Sequence, residues 1–385
     1  MAGKKKILIE AFRLVYGGAA GVRVFRGPGR VNLIGEHTDY NLGFVLPMAL
    51  DLASFVAVAP SRDRKLRIHA GNLGDSAECG VEEIAGLKPA KKWTDYPFGV
   101  AQQLVRAGLP VEPCNLLIHS TVPVGSGLSS SAALETSTAL ALLGSRGMEK
   151  LELVKLCRRA ENEFVGMPCG IMDQYISVFG QEGAAIRIDC RSLDYDVVKL
   201  PPAVSIFAVN TMVKHELGSS AYRNRVRECG EAVSAIRGAH PEAESLRDVS
   251  VPMFEAAASR IEPVARKRAR HVVTEDARVG EFMQASARGD LRRMGELFVA
   301  SHRSLQHDYE VSCEELDFLV DTAISIPGVY GSRMTGGGFG GCTVTLVAPE
   351  AAEDFEQRIA AAYQARFNLV PHIYPCVPSA GAAEV

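Results

Sequence analysis

Five polar side chains fall within ten residues of the stretch 28–47, PGRVNLIGEHTDYNLGFVLP: Arg30, Asn32, Glu36, His37 and Asp39, set around Gly29 and Gly35. Carboxylates accept hydrogen bonds from hydroxyl groups, and His and Asn adapt as donor or acceptor, so one reading is a small polyol site. A surface turn with ordinary charges is the other. The stretch 123–135, PVGSGLSSSAALE, brings two glycines and four serines to the start of a helix. Glycines let the backbone approach an anion, and free N–H groups at a helix N-terminus favour phosphate. Helix capping explains one of these serines, not all four. The segment lacks the GK[ST] ending of a Walker A loop, which excludes an ordinary P-loop nucleotidase. A third segment, 336–341, reads GGGFGG and formally matches GxGxxG. The β-branched run from Cys342 to Val347 follows where a dinucleotide fingerprint requires a helix, so a glycine loop between strands remains.

Two acids stand in apolar company. Glu161 lies four residues after Cys157 and three before Phe164, on the apolar stripe of a helix expected over 150–165, where an unpaired carboxylate is costly. It calls for a nearby cation. Asp173 follows Met167-Pro168-Cys169-Gly170 and sits among Ile171, Met172, Tyr175 and Ile176. Its bland role is a helix N-terminal acid that complements the dipole.

The elements that must position these residues alternate in type. Strands are expected around 22–24, 44–58, 66–68, 115–122 and 184–190, with helices over 97–107 and 132–143. Pro201-Pro202 precedes a fresh strand at 204–209 and marks the best domain boundary. Beyond it, helical spacing recurs near 220–236, 264–288, 291–306, 313–325 and 351–366, around strands at 329–334 and 342–348. The pattern predicts an α+β fold with mixed sheets and helices, or a mixed α/β one.

Composition narrows the classes further. The 385 residues suffice for two domains, and 47% apolar with 23% charged residues excludes disordered, collagen-like and coiled-coil chains. A net charge of −3 supplies no field for nucleic acid or an anionic membrane, so neither is an expected partner. The basic run Arg266-Lys267-Arg268 with Arg270 reads as a solvated helix face, since acids flank it and no aromatic residues interleave. Nine cysteines without a CxxC pair fit reduced thiols in the cytoplasm. Glu10 and Arg13 interrupt any apolar leader, and Pro47 and Asp51 break the longest apolar run, which excludes a signal peptide and a spanning helix.

Together the three segments resemble the galactokinases of the GHMP kinase superfamily, over nearly the whole chain. GRVNLIGEHTDYN is similar to the galactokinase signature, PVGSGLSSSAALE to the superfamily's ATP-binding motif, and MTGGGFGG to its third motif. The stretches AENEFVGMPCGIMDQYISVFG, KHELGSSAYRNRVREC, RARHVVTEDARV and DYEVSCEELD fit as well. Ala221 departs from the pattern, where Glu often precedes the tyrosine. The resemblance implies a two-domain GHMP-kinase-like fold, residues 1–200 and 201–385, with the active site between them. It implies phosphorylation of the anomeric hydroxyl of D-galactose by ATP, the first phosphorylation step of galactose catabolism. Asp173 would be the base and Arg30 its cationic neighbour. Glu36, His37, Asp39, Gly170 and Tyr222 would contact the sugar. Gly125, Ser126, Gly127, Leu128, Ser129, Ser130 and Ser131 would hold ATP, and Ser131 with Glu161 would hold Mg²⁺. A monomer is the favoured state. An N-acetylgalactosamine kinase and a non-catalytic sensor of galactose and ATP are the alternatives, the second opposed by the presence of Arg30, Asp173 and Glu161.

Overall fold

The computed structural model describes residues 2–214 and 218–385. Three residues of the stretch KHELGSSAYRNRVREC, His215, Glu216 and Leu217, lie outside the described residues. In chain order the strands are β1 (Arg23–Asn32), β2 (Phe44–Val45), β3 (Pro47–Pro60), β4 (Lys65–Ala70), β5 (Asp75–Gly80), β6 (Cys114–Ser120), β7 (Ala184–Asp189), β8 (Tyr195–Lys199), β9 (Ser205–Lys214), β10 (Val329–Thr335), β11 (Gly340–Val347), β12 (His372–Pro375) and β13 (Ala383–Glu384). The helices are α1 (Ala2–Tyr16), α2 (Asp95–Arg106), α3 (Ser130–Leu143), α4 (Lys150–Arg159), α5 (Met172–Phe179), α6 (Gly218–Ile236), α7 (Val251–Ala257), α8 (Pro263–Arg288), α9 (Leu291–Ser304), α10 (Glu314–Ile324) and α11 (Ala352–Phe367).

The strands form three sheets: β13-β1-β3-β6-β4-β5, β10-β11-β9-β12 and β2-β7-β8. All pairings in them are antiparallel except β4 with β6. Strand β3 is buried on both faces along most of its length, which explains its nearly continuous apolar sequence. Leu8 and Phe12 of α1 cover Ala53, Phe55 and Ala57 on one side, while Val56 and Val58 face the core shared with α2 and α3. The α1 helix was not expected from the sequence, where the lysines and short apolar run drew attention to targeting instead.

A second core closes the seam between the first and second sheets. It joins Val31, Leu33, Met48 and Leu128 to Val279, Phe282, Phe298, Cys342 and Val344. The chain's end returns across this seam: β12 pairs with β9, and β13 then pairs with β1 through Phe25 and Glu384. The α+β architecture with mixed sheets and helices is as expected. The helix before Pro168 differs in kind. The helix read over 150–165 is α-helical only to Arg159, then widens into a π-helical turn, Ala160–Val165, that Gly166 ends at φ 78°. A wider turn breaks the 3.6-residue stripe, so periodicity alone could not locate Glu161.

Candidate active site

The register of β1 against β3 shifts between Pro28 and Arg30. At this bulge the Arg30 amide donates to the Leu128 carbonyl at 3.0 Å, which docks the serine-rich loop on the strand. The Arg30 side chain, 6% exposed, spans the junction: Nε and Nη2 donate to Asp173 Oδ1 at 3.0 and 2.8 Å, and Nη1 donates to the Gly127 carbonyl. Asp173 lies in the first turn of α5, so the bland reading of a helix N-terminal acid also holds. Its second oxygen, Oδ2, accepts from Ser129 Oγ at 2.5 Å. Ser129 reaches it from a left-handed backbone at φ 58°, immediately before α3. Both oxygens of the carboxylate are thus fixed by charge-assisted hydrogen bonds.

These groups line a cavity of about 650 Å³. Gly125, Gly127, Ser129, Ser130, Ser131 and Glu161 form its wall with the glycine loop from Gly336 to Gly341. The same cavity extends to Trp93, Tyr96, Asn72, Leu73 and Ile118, an apolar and aromatic end not singled out in the sequence. Trp93 is the chain's one tryptophan, and its Nε1 donates to Asp75 Oδ2 at 2.9 Å. Two residues of the loop turn their side chains away from the cavity, which leaves only their backbone for a nucleotide contact. Ser126 donates to the Pro123 carbonyl and accepts from the Leu128 amide, while the Leu128 side chain is fully buried in the seam core. Gly127 has φ 79°, and a Cβ there would stand 3.3 Å from the Thr335 carbonyl. Gly127→Val is therefore expected to distort the loop and weaken ATP binding tenfold or more, on the order of the penalty for a β-branched residue at positive φ, while galactose binding changes little. Calorimetry with each ligand checks this, and equal loss of both would contradict it.

Asp39, His37, Gly170 and Tyr222 converge on the far side of Asp173. A Cβ on Gly170 would lie 1.5 Å from Asp39 Oδ2, so this backbone touches the carboxylate directly. Burial, and next the charge of Asp173, push Asp39 up to about 6. His37 sits in the left-handed region at φ 63°, and burial pulls its imidazole down to about 3, so it is neutral. Its Nδ1 bonds the Tyr40 hydroxyl at 2.8 Å, and Tyr40 bonds the Tyr309 hydroxyl at 2.6 Å. His37 Nε2 is buried without a partner among the described residues. Tyr222 packs its ring 5.0 Å from that of Tyr40.

Glu36 differs from these four. Its carboxylate accepts from Thr335 Oγ1 at 3.0 Å, Gly336 N at 2.7 Å and Asn32 Nδ2 at 3.0 Å, with Arg333 Nη2 at 3.5 Å. At 2% exposure it clamps the end of β1 to the glycine loop through Oε1, while Oε2 accepts only from Asn32 and keeps acceptor capacity.

Glu161 has no Lys or Arg partner among the described residues, so the nearby cation its position calls for is not a protein side chain. Instead Gln174 Nε2 donates to Glu161 Oε2 at 2.6 Å and to Glu135 Oε2 at 3.0 Å. Burial, then the charge of Asp173, raise Glu161 to about 7, partly offset by the Ser131 hydroxyl beside it. Burial and Glu161 raise Glu135 well above the carboxylate range. Glu135 went unweighed in the sequence, although an acid following Ala132, Ala133 and Leu134 in a helix was the available signal. Among the described residues no group of three or more His, Cys, Asp or Glu is arranged to hold a metal, so any cation here needs ligand oxygens from a substrate.

Comparison with known proteins agrees with this geometry. Residues 10–60 match the galactokinase galactose-binding signature, 95–181 the GHMP kinase N-terminal domain and 282–365 the GHMP kinase C-terminal domain. A galactokinase of Roseiflexus sp. (strain RS-1) is 44% identical over 98% of this chain and 96% of its own. Human galactokinase is 45% identical over 89% of this chain and 88% of its own. The crystal structure of Lactococcus lactis galactokinase complexed with galactose superposes with a TM-score of 0.94 at 35% identity, covering 99% of both chains. The mevalonate kinase of Methanococcus jannaschii shares the fold alone, at TM-score 0.69 and 18% identity over 94% of this chain and 100% of its own. With relatives this similar along nearly its whole length, and all three motifs gathered at one cavity, the chain belongs to the galactokinase family of GHMP kinases.

Proposed function

We propose that this enzyme transfers the γ-phosphoryl group of ATP to the anomeric hydroxyl of D-galactose, giving galactose 1-phosphate and ADP. The observation that carries this reading is the position of Asp173. Arg30 and Ser129 fix its two oxygens on the wall of the loop cavity, and its charge also reaches Asp39 and Tyr222.

In this account the nucleotide base occupies the apolar end beside Trp93 and Tyr96. The phosphates run along Gly125, Gly127 and Ser129 to Ser131, against the N-terminus of α3. The sugar rests on Asp39, which accepts from its C3 and C4 hydroxyls, and on His37, whose buried Nε2 gains the partner it lacks. Glu36 holds Gly336 in place through Oε1 and offers Oε2 to a sugar hydroxyl. Asp173 takes the proton as the anomeric oxygen bonds to the γ-phosphorus and the bond to the β-phosphate oxygen breaks. Arg30 offsets charge on the transferring group, in a loose transition state where positioning and neutralisation matter most. The donors at Glu161 and Ser131 are oxygens, which fit a hard cation, and Mg²⁺ bound there with the phosphates would supply further neutralisation. The lobes are residues 1–200 and 201–385, with the site between them. The unpaired thiols at all nine cysteines suit a monomer working in a reducing cytoplasm.

The raised Asp39 sets a pH dependence. Below about 6 the carboxyl is protonated in the free enzyme and must lose that proton to accept two hydrogen bonds. Galactose affinity is expected to be flat above pH 7 and to fall by about tenfold per pH unit below 6. In Asp39→Asn the pH dependence should vanish. A wild-type affinity unchanged between pH 5 and 7 would contradict the assignment.

A coupled assay of ADP release across galactose, N-acetylgalactosamine, glucose and mevalonate tests the function. Galactose should give the highest kcat/KM. A higher value for N-acetylgalactosamine would move the assignment to that sugar, and no sugar-dependent release would leave a binding protein.

A further inference from the structure

Gln174 follows the proposed base directly in sequence, yet its side chain turns away from the sugar pocket and is fully buried. Its amide nitrogen carries two hydrogens, and each has a carboxylate acceptor: Glu161 Oε2 at 2.6 Å and Glu135 Oε2 at 3.0 Å. With Glu161 ionised, as a cation beside it requires, an amide flipped by 180° would set its oxygen against that carboxylate, so the orientation that donates to Glu161 is the favoured one. That state claims Oε2 of Glu161, whose carboxylate stands on the cavity wall with the Ser131 hydroxyl and the Cys169 thiol beside it.

We propose that Gln174 and Glu135 are positioning residues, which lock the Glu161 carboxylate in the orientation that receives a divalent cation. This deepens the function proposed above and rests on Glu161 as a metal ligand. Packing alone is a poor account of the triad. Glu135 Oε1 and Gln174 Oε1 are both buried without a partner among the described residues. Burying such an atom is costly, a cost that Leu or Met in these places would avoid. Partners that orient a ligating carboxylate typically account for about 10–100-fold in metal affinity.

The test uses Mn²⁺ as the probe, bound to the full-length enzyme with a non-hydrolysable ATP analogue and read by electron paramagnetic resonance of free Mn²⁺. Gln174→Met keeps the length and removes the donors. It should weaken Mn²⁺ binding by about tenfold or more while kcat at saturating metal stays within about twofold of wild type. Glu135→Gln keeps an acceptor oxygen but adds a competing donor, so it should weaken binding several-fold and less than Gln174→Met. Galactose binding without nucleotide, measured by calorimetry, should stay unchanged in both. Folded Gln174→Met with wild-type Mn²⁺ affinity would overturn the proposal. If that variant fails to fold, unchanged affinity in Glu135→Gln overturns it, and failure of both to fold assigns the triad to packing and overturns it as well. Glu161→Gln is the control. If it too leaves Mn²⁺ affinity unchanged, the ligand role of Glu161 fails; if it weakens binding while the other two do not, only the positioning role fails.

Discussion

Asp173→Asn is expected to fold, to bind galactose with near-normal affinity, and to lose turnover by about 10²–10⁴, the usual contribution of a positioned general base. The amide is nearly isosteric with the carboxylate. Its oxygen can keep both bonds from Arg30, now at Nε 3.0 Å and Nη2 2.8 Å, while its nitrogen faces Ser129 Oγ, which can turn from donor to acceptor. Arg30 then loses a charged partner, which weakens charge-assisted bonds by about 1–3 kcal/mol and should lower the melting temperature without abolishing folding. The amide cannot take a proton from the sugar. Pre-steady-state mixing with ATP and galactose measures the chemical step directly. A variant within threefold of wild type would show that Asp173 only orients the hydroxyl, and Arg30 with the phosphate loop would then supply the acceleration.

Gly170→Ala should be as damaging, by a different route. The added methyl would fall 1.5 Å from Asp39 Oδ2 and 2.3 Å from its Cγ, well inside any contact distance, so the carboxylate or the turn before α5 must move. Asp39 is the group proposed to read the C3 and C4 hydroxyls, and a displacement of about 1 Å at such a contact costs on the order of 10²-fold. Galactose affinity should fall by about that factor. ATP affinity should hold, because the loop at Gly125 to Ser131 lies on the opposite side of Asp173. Calorimetry with each ligand separates the two. A kcat/KM for galactose within threefold of wild type would remove Asp39 from the sugar site.

Much of this site was legible because its residues travel in short segments with distinctive chemistry. Arg30, His37 and Asp39 fall within ten residues, and Gly170 and Asp173 within four. What escaped depends on contacts distant in sequence or on backbone states that periodicity does not carry. The clamp that Glu36 makes with Thr335 and Gly336 was not legible, because those partners lie about 300 positions away. The role of Ser129 as a donor to Asp173 requires a left-handed residue at the helix start, and serine statistics point to capping instead. Glu161 called for a nearby cation, and its protein partners could not be read from the sequence. The structure supplies an amide, because the π-helical turn at Ala160–Val165 brings it beside Gln174. Helix α1 was missed for a simpler reason: Leu8 and Phe12 make its buried stripe, and the lysines around them obscured it.

The central claim is a phosphoryl transfer to one oxygen of one sugar, and phosphorus NMR of the product tests it most directly. Purified protein with Mg²⁺, ATP and galactose should yield one ADP per galactose consumed, and a phosphorus resonance coupled to the anomeric hydrogen. ADP formed without galactose, no galactose-dependent product, or phosphorus coupled to hydrogens at another carbon would contradict the account.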